Sequence, residues 1–296
     1  MKKSVNLYVD LGTKVEEGAE ALTTKEKLLL IKMAGYDEFY TGIYDSKETI
    51  KWREQLLYAE KIGLPLTMMH CSYYEPTLNE FWLDTPHGKE IEESFITQIK
   101  DCGKYNEIAR DKKMGTIDDF VVHLSGDETV QNTPLGLERL QRIVTEAKKY
   151  GIHVDVENLH SEENFRYVMD NIKDPMLGAC YDCGHRNYLT PNFNVMREYG
   201  DRVRVVHLHS NDGKTDKHES MYKTSFGKIR TLAEDLAPYA PNLVLASELK
   251  APINTRNVYD VLRNDITFLT YLETDIRRVR NSMRKNGLDP DVPTNY

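Results

Sequence analysis

Three features that mark membrane, secreted or nucleic-acid-binding proteins are missing from this chain of 296 residues. No run of eighteen apolar residues is present, so no membrane-spanning helix is expected. The first residues, MKKSVNLYVDLG, lead directly into a β-rich segment instead of a signal-peptide core, which favours a cytoplasmic protein. Lys and Arg number 39 against 47 Asp and Glu, a net charge of −8, and no basic cluster is large enough for a nucleic-acid footprint. A nucleic-acid partner is therefore not expected.

Cysteine is also scarce, with four residues scattered along the chain. Such scattering in a chain of this length argues against a disulfide framework. Cys180 and Cys183 do form a C-x-x-C pair, which occurs in redox and zinc sites, but no second pair of this kind exists. We therefore predict that the two residues serve packing and a turn.

What the chain does contain is a regular alternation of β-rich and helical segments. Strands are predicted at residues 5–9, 38–41, 66–70, 119–123, 152–157, 176–182, 203–209 and 243–248. Helices are predicted at 25–33, 47–61, 90–112, 134–150, 162–171, 227–236 and 258–271. This alternation forces parallel pairing with crossover helices, and eight right-handed crossovers close a sheet into a barrel. The predicted fold is a single (β/α)8 barrel over residues 1–296, with a C-terminal helical extension and tail from about residue 272.

Four potential metal ligands end four successive predicted strands, one per strand: Glu157, Asp182, His209 and Glu248. The carboxyl ends of the strands in a parallel barrel converge on one face, where the chemistry of such folds takes place. Carboxylates and imidazole are suitable ligands for a divalent cation. The sequence therefore predicts a metal site on this rim.

Further histidines and acids fall at the same face and are candidates for additional metal ligands or substrate contacts. These residues are His70, His123, His185, Asp216 and His218. His207 shares a strand face with His209 but lies one layer deeper, so His209 is the preferred ligand. Asp155 similarly lies below Glu157 and would need a partner, either His207 or a water.

The connection after the third strand, residues 71–89, is rich in aromatic residues and too irregular to be helical throughout. Long loops at the catalytic face of a barrel are commonly functional. Its aromatic rings would suit a wall that stacks on the apolar face of a sugar. The alternative, which stays equally open, is a loop packed onto the barrel rim or across a dimer contact.

Several motifs resemble the xylose-isomerase-like TIM barrels over nearly the whole chain. They are VENLH, YDCGH, HLHSNDGKTDKH followed by FGKI, and SELK. This family includes sugar-phosphate isomerases and epimerases, ketose 3-epimerases, inosose dehydratases and the type-IV apurinic/apyrimidinic (AP) endonucleases. In the epimerases, one divalent ion is held by Glu, Asp, His and Glu, which carries over to Glu157, Asp182, His209 and Glu248. The resemblance implies Mn²⁺, with Mg²⁺, Co²⁺ and Zn²⁺ as alternatives.

The same resemblance assigns a substrate-contacting role to His185. Several ketose epimerases place an arginine shortly after the metal histidine, whereas Lys214 stands nearby here and becomes a candidate substrate contact. The implied substrate is a small carbohydrate.

The expected chemistry is proton transfer beside a carbonyl group. A divalent cation that chelates adjacent carbonyl and hydroxyl oxygens acts as a Lewis acid and stabilises an enediolate. Glu157 and Glu248 would be the general base and acid on the two faces of the substrate carbon. Isomerisation or epimerisation follows from this scheme, and loss of a β-substituent from the same intermediate would make the enzyme a dehydratase or lyase.

Two other functions stay open at this point. Type-IV AP endonucleases bind three zinc ions, and every position of their ligand set has a counterpart here: His70, His123, Glu157, Asp182, His185, His209, Asp216, His218 and Glu248. A non-catalytic barrel subunit is the third hypothesis, since a fold alone does not establish activity. The sequence leaves a homo-oligomer open.

Overall fold

A computed structural model describes residues 1–7, 22–42, 57–71, 75–251 and 257–290 of the chain. Its eight strands are all parallel and pair in the order β1-β8-β7-β6-β5-β4-β3-β2. They are β1 Lys2–Val5, β2 Phe39–Gly42, β3 Leu66–His70, β4 Asp119–Val122, β5 His153–Glu157, β6 Leu177–Asp182, β7 Val203–Leu208 and β8 Val244–Ser247. A parallel bridge between Asn6 and Tyr40 joins β1 to β2, so the sheet closes on itself. The predicted (β/α)8 barrel is confirmed.

Helices surround the barrel and follow the strands as the alternation predicted. They are α1 Thr24–Ala34, α2 Pro86–Asp111, α3 Pro134–Lys148, α4 Glu162–Asn171, α5 Cys183–Tyr188, α6 Val195–Tyr199, α7 Phe226–Leu236 and α8 Val258–Lys285. Residues 57–61 are also helical, and short 3₁₀ helices span Glu75–Trp82, Gly200–Arg202 and Met221–Lys223. The predicted C-terminal helix is the continuation of α8, which runs unbroken for 28 residues. The rest of the predicted helix 47–61, the end of the first predicted strand and the tail at 291–296 lie outside the described residues.

Local sequence explains where several of these helices begin. Thr85 and Thr133 each precede a proline, and their hydroxyls accept the backbone N–H groups of Gly88 and Gly136. Threonine at the N-cap followed by proline at the first helical position is a strong start signal. For α5 the N-cap is Asp182 itself, whose side chain accepts the backbone N–H of His185. One of the predicted metal ligands therefore also starts the helix that carries His185.

The main core lies between the strands and the helices, and a second, smaller cluster fills the barrel interior. Its buried members are Tyr40, Met68, Val121, Cys180, Val205 and Ala246. Interior layers of this kind make the barrel a packed core and not a pore. Cys180 and Cys183 are free thiols; Cys180 packs in this interior cluster, and Cys183 is the first residue of α5.

The aromatic residues Phe81 and Trp82, just before α2, are part of the buried core. Phe81 and Trp82 are fully buried, and the indole N–H of Trp82 donates to the carbonyl oxygen of Leu124 at 2.7 Å. These two rings are therefore not available to stack on a sugar, and for them the alternative of packing onto the barrel rim is correct. The other aromatic residues of that loop, Tyr73 and Tyr74, lie outside the described residues.

Asp155 is a buried acid inside the barrel. Its side chain is 0% exposed, and neither carboxyl oxygen has a hydrogen-bond partner among the described residues. A Cβ atom on Gly178 would lie 2.1 Å from Oδ1 of Asp155, so glycine at that position makes room for the carboxyl group. Burial, together with the negative charge of Asp119, raises the pKa of Asp155 well above its usual value. Both effects disfavour the ionised form of this carboxyl group.

Asp155→Asn is expected to make the stability of the protein less dependent on pH. Because the folded-state pKa of Asp155 is raised above the unfolded value of about 3.9, ionisation favours unfolding. Between those two pKa values the wild type should lose about 1.4 kcal/mol of unfolding free energy per pH unit, a loss that the neutral amide does not suffer. Urea denaturation of both proteins from pH 4 to pH 8 measures the difference. Parallel pH profiles for the two proteins would show that Asp155 does not ionise in this way.

Candidate metal centre

The four predicted metal ligands lie together at the carboxyl end of the barrel. Glu157 and Asp182 are the last residues of β5 and β6, and His209 and Glu248 come directly after β7 and β8. Their exposed fractions are 3%, 0%, 1% and 9% in that order. Carboxylates are almost never buried to this degree unless they are paired or bind a metal.

Glu157 is the centre of the arrangement, because four imidazole groups contact its carboxylate. Its Oε2 atom lies 3.2 Å from Nε2 of His70 and 3.0 Å from Nε2 of His123. Its Oε1 atom lies 3.1 Å from Nδ1 of His185 and 3.3 Å from Nδ1 of His207. Burial alone would raise the pKa of this carboxyl, but the imidazoles, led by those of His207 and His123, hold it well below its usual range. The Glu157 carboxylate is therefore shared by four imidazoles that belong to β3 and β7 or follow β4 and β6.

His207 connects Glu157 with Glu248. Its Nδ1 atom is 3.2 Å from Oε2 of Glu248, and the ring itself is fully buried. Glu157, Asp182, His207 and Glu248 each offer one ligand atom, and these atoms lie within 4.8 Å of one another. Burial would raise the pKa of Glu248, but the charge and hydrogen bond of His207 lower it. In the strand period His207 lies below the preferred ligand His209, and the two-residue spacing that puts both rings on one strand face is the sequence signal for its position.

A second group of ligand atoms stands beside the first. It consists of His185, His209, Asp216 and His218, whose ligand atoms are again within 4.8 Å of one another. The closest pair is Oδ2 of Asp216 and Nε2 of His218, at 2.7 Å. The ring of His218 stacks on that of His209 with 4.1 Å between centroids. Burial opposes ionisation of Asp216, but the neighbouring imidazoles of His185 and His218 hold its pKa well below the usual value.

The two groups meet at Asp182, which lies 3.1 Å from Nε2 of His209. His185 also bridges them, with Nδ1 near Glu157 and Nε2 at 3.6 Å from Oδ2 of Asp216. Burial lowers the pKa of His185, but the charge of Asp182 and the neighbouring carboxylates of Asp216 and Glu157 outweigh it and raise the pKa well above the usual value. A third set, His70, His123 and Glu157, adjoins the first.

Nearly all the predicted candidates are thus in one connected region, and Lys214 is the exception. It lies exposed in a turn whose backbone N–H groups at Lys214 and Thr215 are bound by the carboxylate of Asp212. Within the described residues, the Lys214 side chain has no hydrogen bond or ion pair with the ligand groups. Its predicted role as a substrate contact stays a hypothesis.

The residues fit a divalent cation by their chemistry and spacing. Nδ1 of His207 and Nε2 of His209 face the carboxylates of Glu248 and Asp182 at 3.2 Å and 3.1 Å. Three carboxylates whose oxygens approach one another within 4.8 Å would repel in a dry site unless a cation balances them. Mixed carboxylate and imidazole ligands suit Mn²⁺, Mg²⁺ and Zn²⁺.

Gly184→Ala is expected to weaken metal binding by displacing His209. A Cβ atom on Gly184 would lie 2.1 Å from Cε1 of the His209 ring, so the ring must move. Gly227→Ala is the matched control, because a Cβ there meets no atom within 4 Å. Titration of the chelator-treated proteins with Mn²⁺ should give an affinity at least about tenfold lower for Gly184→Ala than for Gly227→Ala. Equal affinities would show that the ring of His209 is not needed at its observed position.

Comparison with known proteins identifies the family of this barrel. A sequence profile described as the xylose isomerase-like TIM barrel matches residues 30–232, more than two thirds of the chain. The chain belongs to this family. The resemblance seen in its motifs is thereby confirmed, although no curated protein sequence matches the chain.

Several solved structures of other proteins match this chain along almost its whole length. A D-tagatose 3-epimerase-like protein is 17% identical with a TM-score of 0.68, and the match covers 96% of this chain and 100% of that one. D-Allulose 3-epimerase from Methylomonas sp. is 12% identical with a TM-score of 0.68, covering 92% and 96%. 3-Keto-D-glucoside 4-epimerase from E. coli is 15% identical with a TM-score of 0.59, covering 93% and 99%. Identities this low establish a shared fold.

Among the described residues, no helix combines the length and apolar character that crossing a bilayer requires.

Proposed function

We propose that this barrel is a divalent-metal-dependent isomerase or epimerase that moves a proton beside the carbonyl group of a sugar or sugar derivative. One observation carries the proposal: Nδ1 of the buried His207 lies 3.3 Å from Glu157 and 3.2 Å from Glu248. Two carboxylates, from strands β5 and β8, are therefore close enough to act on one small substrate. Removal of a proton by one of them and return by the other on the opposite face inverts a stereocentre.

The residues that would hold the cation are Glu157, Asp182, His209 and Glu248, and Mn²⁺ is the ion that we expect. When bound, the ion supplies a Lewis acid that makes a hydrogen beside a carbonyl group more acidic. Asp182 is fixed for this role because its Oδ1 accepts the backbone N–H of His185 at 2.7 Å. A carboxylate whose orientation is set by the start of a helix loses little freedom on binding a metal.

Proton transfer in this proposal is the work of Glu157 and Glu248, while His185 orients a substrate oxygen. His185 is 5% exposed and lies between Glu157 and Asp216, so its ring is held from both sides. A general base must lie within hydrogen-bond reach of the proton that it removes. The close approach of both glutamates to His207 supports a substrate position within reach of both.

The similar structures support a carbohydrate substrate. They include a D-tagatose 3-epimerase-like protein, a D-allulose 3-epimerase and a 3-keto-D-glucoside 4-epimerase. These sugars share a carbonyl group next to a carbon that bears a hydrogen and a hydroxyl group. We extend that chemical class, and no individual sugar, to the present chain.

The test is a panel of ketoses, ketose phosphates and 3-keto glycosides incubated in D₂O with the Mn²⁺-loaded protein. Proton NMR and mass spectrometry should detect deuterium at the carbon beside the carbonyl, together with an isomer, an epimer or an elimination product. An elimination product would place the enzyme among the dehydratases or lyases while keeping the same first step. Absence of exchange in all three substrate classes, with a full equivalent of metal bound, would overturn the proposal.

A second candidate function is incision of abasic DNA with three zinc ions. It is favoured by one observation: each of the nine candidate ligands belongs to at least one group of ligand atoms that lie within 4.8 Å of one another. Against it stands the net charge of −8. Local charge nevertheless decides contact with phosphate, so the measurement must be direct. Efficient incision of an abasic duplex by protein that carries three zinc equivalents would replace the sugar proposal.

A further inference from the structure

Asp265 is a fully buried carboxylate on helix α8, away from the groups of metal-ligand atoms described above. It lies in the second helical turn, with an exposed fraction of 0%. Its Oδ1 atom accepts a hydrogen bond from the hydroxyl of Ser220 at 2.9 Å, and its Oδ2 atom accepts one from the hydroxyl of Tyr36 at 3.0 Å. The carboxylate thus joins the C-terminal helix to the loop that follows β7.

That loop carries Asp216 and His218, and its backbone is under strain. His218 has φ 48°, in the left-handed region that a residue with a side chain rarely adopts. Such a conformation persists only when the surrounding structure fixes it. Here the carbonyl oxygen of His218 accepts the backbone N–H of Lys250 at 2.7 Å, and Ser220 follows only two residues later.

The strained histidine in turn contacts two of the proposed metal ligands. Its ring stacks on His209, and its Nδ1 atom lies 2.8 Å from the carbonyl oxygen of Glu248. Any movement of His218 therefore disturbs the side chain of His209 and the backbone that carries Glu248. A chain of contacts thus runs from Asp265 through Ser220 and His218 to the metal ligands.

Apolar side chains attach α8 to the barrel. Leu262, Leu269 and Leu272 on the same helix are all 0% exposed and provide the apolar contact. A carboxylate at this depth carries a desolvation cost that an apolar residue would avoid. Its two hydroxyl donors come from different parts of the chain, which is the arrangement expected of a group that fixes a loop.

We propose that Asp265 is a positioning residue of the metal centre, holding Ser220 so that His218 keeps His209 and Glu248 in place for a divalent cation. This inference rests on the proposed metal-dependent function. Residues that orient metal ligands from outside typically change metal affinity by 10–100-fold when they are replaced. The effect on the fold as a whole should be much smaller than the effect on the metal.

The experiment uses the full chain, treated with a chelator and titrated with Mn²⁺ and, separately, with Zn²⁺ by calorimetry. Asp265→Leu, which keeps the branched shape and removes both acceptor atoms, should bind Mn²⁺ about 10–100-fold more weakly than the wild type. Ser220→Ala, which removes the side-chain bond to the loop, should reproduce this loss, whereas Tyr36→Phe, which leaves that bond intact, should not. Glu273→Gln is the matched control, since Glu273 is a buried carboxylate of the same helix that pairs with Lys3 and not with the loop.

Thermal unfolding of the metal-free proteins separates positioning from general damage. Asp265→Leu and Glu273→Gln should unfold at similar temperatures while differing in metal affinity. Wild-type affinity in both Asp265→Leu and Ser220→Ala would overturn the positioning role while leaving the proposed function standing. An equal loss in Glu273→Gln or Tyr36→Phe would also overturn it, since the effect would then be unspecific. Failure of the wild type to bind either ion would refute the proposed function itself, and the positioning role with it.

Discussion

Replacing either Glu157 or Glu248 by glutamine is expected to stop exchange of the substrate's carbon-bound hydrogen with solvent. Glutamine keeps a carbonyl oxygen that can coordinate a cation but cannot accept the proton. General acid–base assistance contributes about 10²–10⁴-fold in rate, so a loss of at least this size is expected from each substitution. Glu157→Gln should hold less metal than Glu248→Gln, because the Glu157 carboxylate contacts four imidazoles whereas that of Glu248 contacts chiefly His207.

The measurement is deuterium incorporation from D₂O, made on samples whose metal content is determined in parallel. Glu93→Gln is a suitable control, since Glu93 is an exposed residue of α2 that pairs only with Lys89 in the described structure. Glu248→Gln should retain the metal while losing exchange. Wild-type exchange rates in both glutamine variants, with metal retained, would assign the proton transfer to other groups.

Asp182→Ala is expected to remove the metal and with it all activity. Asp182 is fully buried, lies 3.1 Å from Nε2 of His209 and belongs to the group that includes Glu157 and Glu248. Truncation leaves no oxygen in its place and also removes the N-cap of α5, at a cost of about 1 kcal/mol. Metal analysis of the purified variant should find less than about a tenth of the wild-type content, since a first ligand matters at least as much as the residues that orient it.

Asp182→Asn separates the two roles of this residue. The amide oxygen can still cap α5, so the stability of the helix should be preserved while the negative charge is lost. We expect the asparagine variant to unfold close to the wild-type temperature and still to bind Mn²⁺ at least about tenfold more weakly. Full metal content in Asp182→Ala would remove this residue from the proposed ligand set.

The barrel and the location of its site could be predicted from the sequence because both depend on local patterns. Eight β-rich segments alternate with amphipathic helices, and this order allows little except a closed parallel sheet. Residues that end successive strands must then meet on one face, which is why the strand pattern was sufficient to place Glu157, Asp182, His209 and Glu248 together. The family motifs lie on the same strand ends and the loops that follow them.

Which imidazole contacts which carboxylate was decided by the tertiary structure alone. A strand end gives a position along one strand, whereas the stagger between neighbouring strands sets the height at which their side chains meet. Between β6 and β7 the register shifts by one residue after Ala179, so Asp182 pairs with His207, whereas an unshifted register would pair it with Val206. His207, which the strand period places below the preferred ligand His209, contacts both glutamates.

The remaining tertiary features join residues that are far apart in the chain. Asp265 and Tyr36 are separated by 229 residues, and no periodic pattern relates them. The burial of Phe81 and Trp82 likewise follows from the helices that cover them, since the same composition would suit an exposed aromatic wall. Sequence alone therefore determined the fold and the face that carries the chemistry, because strand and helix periods are local. The contacts within that face depend on register, side-chain packing and distant partners, which exist only once the barrel has closed.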